Sequence, residues 1–116
     1  MNEYVLLVRV DRSALAPEQV QAIQSGWGPV LEKWVARGQY VTSNLIVGDG
    51  YVLSGPDRET TQGVVSGNGG AVVSTITLLA ETIEEAIELA KVCPPLNFGG
   101  SVEVRLRQPP VVIPGN

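Results

Sequence analysis

The chain has 116 residues, one cysteine and no histidine, and its formal net charge is −4. The length suits one domain, since single hydrophobic cores usually form in chains of about 100–150 residues. One cysteine excludes an internal disulfide framework, and the lack of histidine excludes Ser-His-Asp and Cys-His catalysis within the chain. The acidic balance argues against a nucleic-acid partner, because binding to a phosphate backbone needs a basic face.

The N-terminal sequence and the hydropathy pattern predict a cytoplasmic protein with no membrane partner. The apolar run of residues 5–8 is broken by Arg9 and Asp11. It is therefore shorter than the apolar region of a signal peptide, which spans about 7–15 residues. No stretch approaches the ~20 apolar residues that a membrane span requires.

The first half of the chain predicts a strand, a long helix and a second strand. Residues 3–10 are apolar and rich in β-branched side chains, and residues 40–47 have the same character. Pro17 suits the first turn of a helix, and Pro29 in its middle predicts a kink or two helical pieces. One face of this helix carries apolar residues at spacings of three and four: Val20, Ile23, Trp27, Leu31 and Trp34.

The middle of the chain predicts a β-hairpin, a loop and a long strand. Residues 51–53 and 58–62 flank Gly55-Pro56-Asp57, which has the composition of a turn. Residues 64–70 contain three glycines and predict a loop. Residues 71–80 form the longest strand candidate.

The C-terminal third predicts a short helix and a last strand. Thr82 with Glu85 three residues later is the pattern of a capping box, and it begins an amphipathic helix that ends at Cys93. Residues 101–107 alternate between apolar and polar side chains, as in a half-buried strand. We therefore expect one domain over residues 1–108, followed by a proline-rich extended tail over residues 109–116.

The order of these elements predicts the fold. Without the hairpin it reads βαββαβ, which is the ferredoxin-like pattern. We therefore expect an α+β fold with a four-stranded antiparallel sheet and both helices on one of its faces. The other face is then bare and apolar, and the simplest cover for it is a second copy of the chain. The sequence thus predicts a homodimer.

Several segments also carry a family resemblance. The most specific are Gly69-Gly70, residues 81–94 (ETIEEAIELAKVCP) and residues 99–105 (GGSVEVR). Weaker matches are YVLLVRV (residues 4–10), WGPVLEKWVARGQYV (residues 27–41) and SGPDRETTQG (residues 54–63). Together they resemble the YCII-related family, including its DGPF-type branch. The resemblance implies a dimeric α/β-barrel in which two ferredoxin-like subunits pack sheet against sheet.

The chain departs from that family in the residues tied to its chemistry. The Asp-Gly-Pro-Phe motif of the DGPF-type branch stands here as Gln62-Gly63-Val64-Val65, so only the glycine is retained. A His–Asp pair is associated with acid/base chemistry in some YCII-like members, and this chain has no histidine. The resemblance therefore implies the fold and the dimer, while the chemistry of the family does not carry over.

Strand alternation predicts a polar cluster on the open face of the sheet. The residues that share this face are Arg9, Asn44, Thr75, Thr77, Glu103 and Arg105. One hypothesis is a pocket in which Arg9 and Arg105 bind a carboxylate, with Asn44 and Thr75 also contacting the substrate. Glu103 is then the catalytic base, provided that burial raises its pKa. The alternative is a structural Arg–Glu–Arg network at the dimer interface.

Two functions therefore stay open. The first is a homodimer that binds a small polar or anionic organic molecule, with cofactor-independent acid/base chemistry as one option. The second is a structural or ligand-binding relative that has lost the histidine-based site. No cofactor and no metal are expected, because the acidic residues are scattered along the chain. Trp27 and Trp34 are expected in the core, with an aromatic wall for a ligand as the alternative, and Cys93 is expected to be a buried, inert thiol.

Overall fold

The alternating N-terminal segment forms a central strand in the computed structural model, which describes residues 1–108. Every second residue of this strand, from Tyr4 to Val10, is buried, as expected for a strand with one covered face. The strands are β1 (Asn2–Val10), β2 (Tyr40–Leu45), β3 (Gly50–Ser54), β4 (Glu59–Gly63), β5 (Ser66–Gly67), β6 (Gly70–Ala80) and β7 (Ser101–Leu106). The helices are α1 (Pro17–Ala36) and α2 (Ile83–Ala90), with 3-10 turns at Arg12–Ala14 and Pro94–Phe98.

The main sheet has the strand order β2-β6-β1-β7, and all its pairings are antiparallel. Strands β3 and β4 form a separate two-stranded hairpin. The fold is therefore α+β, with two helices and an antiparallel sheet, as the sequence predicts. Strand β5 was not predicted: Ser66 and Gly67 lie within the expected loop but pair with the start of β6.

The hydrophobic core lies between the helices and one face of this sheet, which we call the covered face. Both helices contribute to it, α1 through Trp34 and α2 through Ala86, Leu89 and Ala90. Leu6, Val8 and Leu78 have no exposed surface. Each such side chain stabilises the fold by about 1.5–3 kcal/mol relative to an exposed one. Residues of the sheet that belong to the core are Tyr4, Leu6, Val8, Ile76, Leu78 and Ala80.

Helix α1 runs continuously through Pro29, so of the two predicted alternatives, a kink or two helical pieces, the second is wrong. Proline removes one main-chain donor, but both halves of the helix are anchored in the core. Ile23 is buried before Pro29, and Trp34 is buried after it. This packing on both sides offsets the cost of an interior proline, which is about 3 kcal/mol from the missing hydrogen bond and the crowding of its ring.

Three features fix the ends of the elements around the sheet. Thr82 accepts a hydrogen bond from the amide of Glu85 at 3.2 Å, so the predicted cap of α2 is present. The Glu85 carboxylate instead accepts from the Gln39 side chain at 2.9 Å and ties α2 to the start of β2. Gly70 has a φ of +124°, and a Cβ there would lie 2.3 Å from the carbonyl carbon of Val10. Only glycine therefore lets β6 begin this close to the end of β1.

The other face of the main sheet, which we call the open face, carries no helix among the described residues. Val5, Leu7 and Leu79 lie on it and are half-buried.

Neither α1 nor α2 is long and apolar enough to span a lipid bilayer, within the part of the chain that the structure describes. The expected tail, residues 109–116, lies outside the described residues.

Candidate functional site: a charged row on the open face

The predicted polar residues lie together on the open face. In the register of the sheet, Leu7 of β1 stands between Thr75 of β6 and Glu103 of β7. The next row along the sheet places Val5 between Thr77 and Arg105. The two-residue period of strands predicts the shared face, and the expected strand order predicts that the strands are neighbours. The functional roles of these residues stay predictions.

Glu103 joins two arginines on this face. Its carboxylate accepts a hydrogen bond from Arg105 Nη1 at 2.9 Å, and its other oxygen lies 3.7 Å from Arg9 Nη2. A further ion pair links Glu3 of β1 with Arg107. The β7 edge of the sheet therefore carries three cations, Arg9, Arg105 and Arg107, and two carboxylates, Glu3 and Glu103. Each of them except Arg105 forms an ion pair across two neighbouring strands.

The pKa of Glu103 does not meet the condition for a general base. The hydrogen bond from Arg105, with the positive charges of Arg105 and Arg9, lowers the pKa of this carboxyl below its ordinary value of 4.5. Its side chain is 42% exposed, so burial does not offset the arginines. The expected rise in pKa is thus not present in a single subunit, and Glu103 is a weak base at neutral pH.

Arg9 is the most enclosed of the three charged residues in the cluster. Its side chain is 22% exposed, whereas that of Arg105 is 67% exposed. The enclosure comes from β5, because a Cβ on Gly67 would lie 3.2 Å from Arg9 Nη1. The glycine therefore allows the main chain to pass closely over the guanidinium.

The far side of the row is polar but uncharged. Asn44 of β2 pairs with Thr75, and its amide donates a hydrogen bond to the Thr75 hydroxyl at 3.3 Å. Asn44 is exposed and stands two strands away from Arg9 and three strands away from Arg105. The structure thus places Asn44 and Thr75 on the predicted face, but β1 separates them from Glu103.

A mostly apolar cavity lies on the covered face, away from these residues. This cavity of about 490 Å³ opens between the first half of α1 and the ends of β1, β2 and β6. None of Arg9, Asn44, Thr75, Glu103 and Arg105 lines it. Its polar lining residues, Arg12, Gln24 and Ser74, were not identified from the sequence. The available signal was the apolar stripe of α1, because Val20, Ile23 and Trp27 form one wall.

The remaining candidates, Trp27, Trp34 and Cys93, lie in the hydrophobic core or pack against it. Trp34 is 2% exposed and belongs to the core, as predicted, and the half-buried Trp27 packs against that core and also lines the cavity. Their ring centroids are 6.3 Å apart at an angle of 56°. Cys93 is buried, and this burial raises the pKa of its thiol to about 12, which agrees with an inert thiol.

The described residues contain no group of three or more acidic, cysteine or histidine side chains arranged to hold a metal ion. No known family model matches the chain, and none of the curated proteins shows significant similarity to it.

Proposed function

We propose that the protein is a homodimer whose subunits pack through their open faces, in the manner of a dimeric α/β-barrel of the YCII-related type. The observation that carries the proposal is the open face itself. It presents half-buried aliphatic side chains from two central strands, namely Val5, Leu7, Val72 and Leu79. An uncovered sheet face of this kind is usually an interaction surface.

The strand order supports the ferredoxin-like assignment within this proposal. The order β2-β6-β1-β7 becomes 2-3-1-4 once the hairpin and β5 are left out of the numbering. That is the arrangement expected of a βαββαβ chain. Two such sheets packed face to face bury both open faces at once, and a two-fold axis makes the same surface serve both subunits.

The charges at the β7 edge suit a second copy of the chain. Arg9, Glu103 and Arg105 form one network, and Glu3 with Arg107 forms another. Paired charges enter an interface at a lower desolvation cost than unpaired ones. In this proposal the Arg–Glu–Arg cluster is an interface network and has no catalytic role, in line with the lowered pKa of Glu103.

Sedimentation velocity of a charge-reversal variant tests the proposal. E103R places a third cation between Arg9 and Arg105 and should convert the dimer to a species with the chain mass of 12.3 kDa. The matched control is E84R, a reversal on an exposed position of α2. Wild type and E84R should both sediment at twice the chain mass. A monomeric wild type, or an E103R variant that dimerises like wild type, would contradict the proposal.

A second candidate function is an anion site at the same cluster. Arg105 contacts Glu103 through Nη1, and its side chain is two-thirds exposed, which leaves a guanidinium edge for a carboxylate. Succinate should then raise the melting temperature of wild type but not of R105Q. An equal effect on both proteins would exclude this site.

A further inference from the structure

We infer that the cavity between α1 and the covered face is a binding site for a small apolar monocarboxylic acid. Its volume of about 490 Å³ lies within the range of sites for small organic molecules, about 300–1,000 Å³. It lies on the opposite side of the sheet from the proposed dimer interface. The inference therefore goes beyond the proposed function and does not depend on it.

The wall of the cavity is mostly aliphatic and aromatic. Val8 and Val73 form its floor on the sheet, Ile23 and Trp27 form its helical side, and Leu45 and Val47 stand at the end of β2. Leu45 and Val47 are 73% and 72% exposed, so their apolar side chains are free to pack against a ligand. An apolar ligand body in the cavity would cover both.

One cation lines this apolar space. Arg12 is the only charged residue among those that form the cavity. It makes no ion pair within residues 1–108. The adjacent Asp11 carboxylate is engaged elsewhere, because it accepts hydrogen bonds from the amide and the hydroxyl of Ser13 at 3.1 and 2.6 Å. The guanidinium is therefore available to an anion from outside the chain.

The apolar wall and the single cation together favour one class of ligand. A planar guanidinium binds a carboxylate through two parallel hydrogen bonds, and the apolar wall favours a hydrocarbon body. The Gln24 amide and the Ser74 hydroxyl add polar contacts at the wall. A single cation in a chain of net charge −4 suits a singly charged acid better than a dianion or a phosphate ester.

Isothermal titration calorimetry with octanoate, 3-phenylpropanoate and octanol tests this assignment. Wild type should bind at least one of the two acids, and octanol should bind about tenfold more weakly, because it lacks the charge-assisted hydrogen bonds to Arg12. The two acids separate an aliphatic from an aromatic ligand. The inference would be overturned if neither acid saturates the protein at millimolar concentration, or if octanol binds as tightly as the acids.

Three variants locate the site. R12Q should weaken binding of the acid about tenfold and leave the affinity for octanol unchanged. R37Q is the matched control, since Arg37 is an exposed arginine at the other end of α1 and should bind like wild type. V20F should fill the cavity and weaken both ligands. Circular dichroism of each variant verifies that it is folded. Equal binding of the acid by R12Q and R37Q, or unchanged binding by V20F, would overturn the assignment.

Discussion

The covered face and the open face of the sheet are built from the same strands but differ in how completely their side chains are buried. On β1, Leu6 is fully buried under the helices, whereas its neighbour Leu7 is half-buried beside Glu103. The core side chains of the covered face are apolar, with Ser74 as a polar residue at the cavity, whereas the open face mixes aliphatic groups with ion pairs at its β7 edge. In the dimer that we propose, folding completes one face and association completes the other.

The largest expected effect comes from placing the same charge on either face. L6D buries an unpaired carboxylate in the core, at a cost of several kcal/mol, and should leave the chain unfolded by circular dichroism. L7D places the carboxylate on the open face and should leave a folded chain that sediments as a monomer. A folded L6D, or a dimeric L7D, would contradict the division of roles between the two faces.

A smaller effect is expected on removing each tryptophan of α1. W34A removes an indole side chain that is 2% exposed, and it should lower the free energy of unfolding by about 3–5 kcal/mol. W27A removes a side chain that lines the cavity, and should cost clearly less because its surroundings are already incomplete. Urea unfolding, monitored by circular dichroism at one fixed protein concentration, measures the loss of unfolding free energy in both variants. Equal losses for the two variants would indicate that the cavity does not exist in solution.

The smallest expected effect is a pH dependence on the open face. The arginines lower the pKa of Glu103 in the folded chain, so its ionised form stabilises the fold at neutral pH. This contribution is complete above the ordinary value of 4.5 and is lost as the pH falls through the lowered pKa. The difference in unfolding free energy between wild type and E103Q should therefore stay constant from neutral pH to about pH 5.5 and shrink below 4.5.

The control for this pH series is E84Q, a change at an exposed position on α2. Its difference from wild type should not follow the same curve. A difference for E103Q that grows towards acidic pH would mean that the network destabilises the ionised carboxylate.

Local patterns in the sequence were sufficient to predict the sheet and the polar cluster. The two-residue period of β1 and β7 places Arg9, Glu103 and Arg105 on one face, whatever packs on the other. The cap at Thr82 is equally local, since it needs only the following turn. These features depend on neighbours along the chain or directly across a strand pair.

The features that the sequence did not predict depend on distances between elements. The cavity exists because the first half of α1 stands away from the sheet, and no short pattern encodes that separation. Arg12 follows β1, at the start of the 3-10 turn Arg12–Ala14, and only the path of the chain brings it to the cavity. The continuity of α1 through Pro29 likewise depends on tertiary packing at Ile23 and Trp34.

The labelling of one engineered cysteine tests most directly whether the open face is covered by a second copy. Cys93 is buried with a pKa of about 12, so it reacts little and leaves an added thiol as the reporter. T75C places this thiol in the middle of the open face, and A36C places it on an exposed position of α1 as the control. The rate of reaction with a maleimide is measured from nanomolar to high micromolar protein.

Our account predicts that T75C reacts readily at nanomolar concentration and becomes protected as the concentration rises, whereas A36C reacts at one rate throughout. If the T75C rate does not change with protein concentration while the A36C control reacts normally, the result would contradict the claim that the open face is a dimer interface.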